Sequence, residues 1–193
     1  MRIAVEKLTT WQPKYVRSLQ LQAHLFYLIP TTEMVTVLRN KMIETDFHRV
    51  LDEILDQAMK MNRSKFANMQ IVNRERNTLE IVNQRGFKRE FLEHFSVVSA
   101  DDGSACGSAM GSKNTVFISD AKTEESFAPH LQVALNAGFR AVQSTPLISS
   151  RGSVIGVIST HFNLPNTFTK KELETFESFC CRAADIIEAF ILN

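Results

Sequence analysis

Apolar positions along this chain recur at two periods, and the switches between them mark out its elements. Phe47, Val50, Leu51, Ile54, Leu55 and Ala58 repeat at helical spacing and form one apolar stripe. Thr45 stands ahead of them as an N-cap, followed by Asp46, whose charge suits the positive end of a helix dipole. The period then becomes two: Ala67, Met69 and Ile71 alternate with Asn68 and Gln70, which predicts a strand with one buried face. The polar run 73–77 reads as a hairpin connection to a second strand, Thr78 to Val82, closed by Arg85-Gly86. A short helical piece, Lys88 to His94, precedes a third strand, Phe95 to Ser99.

The second half continues in shorter pieces. After the turn 101–104, Ser104 or its neighbour caps a helix of small residues, Ala105 to Met110, ended by Gly111. Val116 to Asp120 is a strand, and Glu124 to Asn136 a helix that stops at Gly138. Two strands come next, Arg140 to Ile148 and Val154 to Phe162, joined by the turn 149–153. Gly156 inside the second suggests close backbone approach or a bulge, and Pro146 inside the first points to an edge or a bulge. Thr169 caps a last helix whose stripe is Leu173, Phe176, Cys180, Ala183, Ile187 and Phe190. The order predicts an α+β layer architecture, with terminal helices covering one face of an antiparallel sheet. Ahead of it, residues 1–45 read as a helical extension. Pro13 opens a segment running to Ile29, Pro30 stops it, and Thr31 or Thr32 caps a short helix through about Met42. The remaining residues, 46–193, form the domain proper.

Composition narrows the function without naming it. Hydrophobic residues make up 44% of the 193 and charged residues 22%, near the globular average. The net charge of +1 supplies no field toward nucleic acid or an anionic membrane. No stretch approaches the roughly 18 apolar residues of a membrane span, and the start lacks a signal peptide's apolar core. Three cysteines, two of them adjacent, read as free thiols in a reducing cytoplasm. No P-loop, dinucleotide glycine motif, Ser-His-Asp arrangement, paired-carboxylate motif or metal-ligand spacing presents itself.

The string from Gly138 to Ser149, followed by Gly152 to Phe162, resembles the GAF domain pattern. So do the lead Phe168 to Glu174 into the final helix, the segments Ser104 to Ala109 and Val116 to Asp120, and the first hairpin, Ala67 to Val72 with Gln84 to Phe87. The resemblance covers about residues 46–193, and the chain is especially similar to the domains of bacterial sensory proteins, often linked to histidine kinases or response regulators. It implies a pocket on the sheet face opposite the terminal helices, roofed by the two small helices. It names no cofactor or ligand. Residues 1–45 carry no such resemblance.

The candidate ligand-binding residues are Cys106, Asp120, Phe127, Gln143, Thr145, Ser159 and His161. Cys106, at a short helix start, has the setting of a dipole-activated thiol, and is similar to a cysteine of GAF-fold free methionine sulfoxide reductases. Its alternative is a small buried hydrophobe, because Cys180 and Cys181 lie too far along the chain to act as local resolving thiols. Asp120 ends a strand and either orients a ligand or caps the turn at Lys122. Phe127 closes the pocket or packs its helix on the sheet. Gln143 and Thr145 share one strand face, a wet, ligand-facing surface or an ordinary exposed one; His161, on one face with Ser159, lines the pocket or is an ordinary hydrogen-bonded strand residue. No cysteine has an adjacent histidine, which argues against a covalent bilin.

Three readings are open. The first is a non-catalytic sensory module that binds a small molecule and signals through its terminal helices. The second is a methionine sulfoxide reductase using Cys106, and the third a dimerisation scaffold without a ligand. Phe176, Phe179, Ile186, Ile187, Phe190 and Ile191 spread wider than one core-facing stripe, and Leu25, Phe26, Leu28 and Ile29 also need cover; together they predict a homodimer through helices.

Overall fold

Between Thr32 and Asn62 the sequence holds neither Gly nor Pro, and nothing there breaks a helix. In the computed structural model, which describes residues 32–192, α1 is therefore one helix, Thr32–Asn62. The separate cap expected at Thr45 does not form: its hydroxyl donates to the carbonyl of Lys41, one turn back, at 2.9 Å. The expected helix up to Ile29 lies outside the described residues. The chain divides into two units at Asp46/Phe47, and the sheet belongs wholly to the second.

Strands β1 (Phe66–Asn73), β2 (Thr78–Arg85), β3 (Val97–Val98), β4 (Val116–Ile118), β5 (Ala141–Ile148) and β6 (Val154–Phe162) form one sheet in the order β3-β2-β1-β6-β5-β4. Every neighbouring pair is antiparallel. The connections carry α2 (Arg89–His94), α3 (Ala105–Ser112), a 3₁₀ turn (Glu125–His130) and α4 (Leu131–Ala137); α5 (Lys170–Leu192) closes the chain. The stretch expected as one helix over 124–136 starts as 3₁₀ because Pro129 lies inside it and cannot donate an α-helical hydrogen bond. Pro146 fits the edge reading. β4 ends opposite Ser144, so Pro146 is paired only with Val157 on β6. Gly156 fits close approach: a Cβ there would stand 2.1 Å from the Gln70 carbonyl oxygen of β1.

Both faces of the sheet are covered, which separates the core into two layers. Leu51, Leu55 and Ala58 of α1 and Phe176, Cys180, Ala183 and Ile187 of α5 pack on Ala67, Met69, Leu147 and Ile158. Arg85 ties the sheet to α1 through Asp52 and Asp56, each at 2.7 Å. On the other face, Phe87, Phe91, Phe95, Cys106, Met110, Phe127 and Phe139 cover Leu79, Val142 and Val157. Asn68 and Gln70, which alternation alone places on an open face, are buried under this second layer.

Candidate functional site

Strand register fixes which side chains meet beneath the small helices. Val142 pairs with His161 and Ser144 with Ser159 across β5 and β6, while Asn68 of β1 pairs with Ser159 from the other side. Side chains alternate along a strand, so Asn68, Ser144, Ser159 and His161 share one face. Ser104 caps α3 by accepting the Gly107 N–H at 3.0 Å, and so brings Cys106 over them. Phe91 and Phe95 from α2 and its C-terminus, Phe127 from the 3₁₀ turn and Phe139 complete the roof. These residues enclose a cavity of about 20 Å³, room for one water molecule.

His161 is the most informative group in it. Its Nε2 lies 3.0 Å from Asn68 Oδ1. An amide oxygen only accepts, so Nε2 carries the proton and Nδ1 presents a lone pair. That Nδ1 is buried and has no hydrogen-bond partner in the protein. The ring is 4% exposed and meets Phe139, Phe87 and Phe91 edge-on, with centroids at 4.5, 4.9 and 5.6 Å. Burial among aromatics, with no carboxylate beside it, pulls the imidazole pKa down to about 3. The ring is neutral at every physiological pH. Ser144 and Ser159 share one hydrogen bond of 2.8 Å, which leaves the second hydroxyl proton uncommitted.

Burial acts on Cys106 in the opposite sense. Its thiol is pushed up to about 11, and the 3.3 Å contact with Ser104 Oγ does not offset that. Cys180 belongs to the layer across the sheet, and its thiol is likewise raised by burial; Cys181 is exposed. The structure thus holds Cys106 as a protonated, apolar lining group.

Of the seven candidate residues, Cys106, Phe127, Ser159 and His161 come together at this cavity. The other three do not. Asp120 accepts the Lys122 N–H at 3.1 Å and pairs with Arg140, interactions that hold its carboxyl below the usual range. Gln143 and Thr145 point to the terminal-helix face, because the register puts Ser144 on the cavity side. There Asn62, at the end of α1, donates to Gln143 Oε1 at 3.2 Å and Thr160 Oγ1 at 2.9 Å. Gln143 in turn donates to Thr145, and Thr115 links Thr145 to Glu177 of α5. Asn68, Ser144, Phe91 and Phe139 line the cavity without having been singled out in the sequence. Their signal was the opposition of Asn68 and Ser144 to Ser159, visible only once strands are paired.

The sequence model of the GAF domain family matches residues 44–188. The chain belongs to the GAF domain family. No curated protein matches it. Solved GAF-fold structures do. A domain assigned to a two-component sensor histidine kinase of Sinorhizobium meliloti aligns with TM-score 0.60 at 15% identity, over 75% of this chain and 92% of its own. A GAF domain/HD domain protein from Geobacter sulfurreducens aligns with TM-score 0.62 at 17% identity, over 77% and 96%. The type II free methionine-R-sulfoxide reductase of Thermoplasma acidophilum gives 0.62 at 13% identity, over 77% and 96%. Identities this low establish a common fold. Among the described residues, no helix is long and apolar enough to cross a membrane and no group of side chains is arranged to hold a metal ion.

Proposed function

We propose that residues 46–193 act as a cytoplasmic, non-catalytic sensory domain, with residues 1–45 as a separate extension. A small molecule enters the His161 cavity and biases the packing of α1 and α5. The observation that carries this reading is the unpaired, buried Nδ1 of His161 beneath a roof of short elements. A buried acceptor left open costs about 1–3 kcal/mol, and a ligand that satisfies it recovers that cost. The polar chain from Asn62 to Glu177 lies on the reverse of the same strands, so a shift of β5 or β6 reaches both terminal helices. A histidine kinase or response regulator is the partner class that fits such an output.

A second reading, a methionine sulfoxide reductase, draws on the Thermoplasma fold match and on Cys106 in the cavity. The raised thiol, with no second cysteine in its layer, argues for binding instead. Ile186, Ile191 and Leu192 of α5 stay exposed, which supports the proposed homodimer through helices. Native mass spectrometry of protein purified from its own host, with light scattering on the same sample, tests the reading. A retained small molecule on a dimer is the expected result. Turnover of free methionine sulfoxide with thioredoxin, lost in Cys106→Ser, would replace it with the enzyme.

A further inference from the structure

We propose that the domain carries a second binding site, in the groove where the end of α1 meets the start of α5. It takes a small organic anion with an aromatic body: the carboxylate lies beside Arg63 and Lys171, and the ring against Phe162, Phe168 and Phe176. The site is separate from the His161 cavity and from the reading given to it. Phe162 follows His161 in β6 and so faces the other side of the sheet.

The groove has the size for such a molecule. It encloses about 580 Å³, inside the roughly 300–1,000 Å³ of small-molecule sites, against about 20 Å³ for the His161 cavity. A bicyclic ring fits that space as it stands. Its floor is apolar. Phe162 and Phe176 are buried, and Phe168 meets Phe162 edge-on, with centroids at 5.5 Å and 67° between the ring planes. Ring faces and edges are thus offered together, and aromatic ligands pack against both.

Charge selects the rest of the molecule. Arg63 and Lys171 line the groove, and among the described residues neither forms an ion pair. Glu172 is the acidic residue in the lining, and its Oε2 is committed to the start of α5. There it accepts the Thr169 N–H at 2.9 Å and the Thr169 hydroxyl at 2.7 Å, and the first of these leads the interactions that hold its carboxyl below the usual range. Two cations against one engaged carboxylate leave the lining positive. A carboxylate meets two unpaired cations, one of them a guanidinium whose fork matches its own geometry. Arg63 is placed by the backbone. Ser64 N–H bonds to the Met59 carbonyl at 3.1 Å and Arg63 N–H to that of Lys60 at 3.4 Å, a Schellman ending of α1 that holds Arg63 at φ 51°. The groove also borders Asn62, which donates to Gln143 and Thr160. An occupant therefore touches both terminal helices directly.

The test adds 2-naphthoate, 2-naphthamide and 2-naphthylmethylammonium to the full chain, with affinity from calorimetry and location from NMR. Naphthoate should bind about fivefold more tightly than the amide, the upper end for an exposed ion pair. The ammonium should bind weakest, and the margin of naphthoate over the amide should shrink in about 0.5 M salt. The Asn62 side-chain amide should shift, and the His161 imidazole nitrogens should not. Arg63→Gly keeps the fold intact, because glycine takes the left-handed backbone of that position without strain. Combined with Lys171→Gln, it should bring the margin down to about one. Phe168→Ala should weaken naphthoate and the amide by the same factor. Equal affinity for naphthoate and the amide in the unmodified chain overturns the inference, and so does a margin that survives the paired substitutions. Shifts at His161 in place of Asn62, or no binding of naphthoate at about 1 mM, overturn the site itself. Neither result touches the His161 reading, which is decided by the molecule retained from the host.

Discussion

The two faces of the sheet carry nearly the same kinds of polar side chain, yet they do different things with them. On the helix face, Gln143, Thr145 and Thr160 are fully or almost fully buried, and they join Asn62, Thr115 and Glu177 in one chain of hydrogen bonds. On the roof face, Asn68, Ser144, Ser159 and His161 are as deeply buried, but an acceptor stays open and a cavity lies beside it. Polar residues in the middle of a strand therefore do not by themselves mark a binding surface. What separates the two faces is the open acceptor beside a cavity.

The comparison breaks most visibly if the closed network is cut. Asn62→Leu removes the donor shared by Gln143 Oε1 and Thr160 Oγ1 and puts an apolar group where water would otherwise replace it. Two buried acceptors lose their common partner, and the expected loss is about 2–4 kcal/mol, read from urea unfolding. Ser144→Ala on the roof face should cost no more than about 1 kcal/mol, because its partner Ser159 borders a space with room for a water. Equal losses would mean that the two faces are not distinguished by hydrogen-bond satisfaction.

A pH titration sharpens the same contrast, because His161 lies on the roof side. His161 has its pKa lowered from 6.5 to about 3 in the folded chain. Unfolding at pH values between these takes up a proton. The stability from this group is therefore complete above pH 6.5 and is lost as pH falls toward 3, by at most about 1.4 kcal/mol per pH unit. Between pH 6.5 and 5 the loss should be about 2 kcal/mol. His94, lowered by its own burial and by the neighbouring His130, acts in the same direction but is exposed and contributes less. Asp52 and Asp120, whose carboxyls are lowered from 3.8, matter only further down. His161→Gln, which keeps a donor for Asn68, should flatten the profile between pH 6.5 and 5. An unchanged profile would mean that the imidazole is hydrated or paired in solution.

Much of this fold is legible in the sequence alone. The helix stripe from Phe47 to Ala58, the Pro146 edge and the Gly156 approach all come from local rules, because each depends on neighbours in sequence or on backbone geometry. The Gly138–Phe162 string identified the family for a related reason: its glycines and alternating apolar positions are set by the turns and paired strands of the fold. The faces of β5 were not legible. Choosing Gln143 and Thr145 over Ser144 required knowing which side the terminal helices take, and both sets alternate correctly. Asn68 and Gln70 were read as facing outward because alternation separates two faces without saying that both are covered. Thr45 looked like a cap because its type and the following Asp46 fit one. Only the absence of any breaker decides that a helix runs through it.

The smallest effect concerns the thiols, and it reports on the roof directly. Cys106 and Cys180 are buried on opposite faces and Cys181 is exposed. Iodoacetamide at neutral pH should label Cys181 in the folded chain and leave the other two. With a thiol pushed up to about 11, Cys106 is ionised in about one molecule in ten thousand. Its alkylation therefore waits for the roof to open. Cys180 lies between α5 and the sheet among Leu55, Met69 and Ile158, and its release needs the larger layer to come apart. Cys106 should then be labelled before Cys180, and a probe that fills the cavity should slow Cys106 alone. Cys106→Ala itself should cost less than about 1 kcal/mol, since it removes one small group and a weak contact to Ser104. Labelling of Cys106 and Cys180 at the same rate would mean that both faces open together.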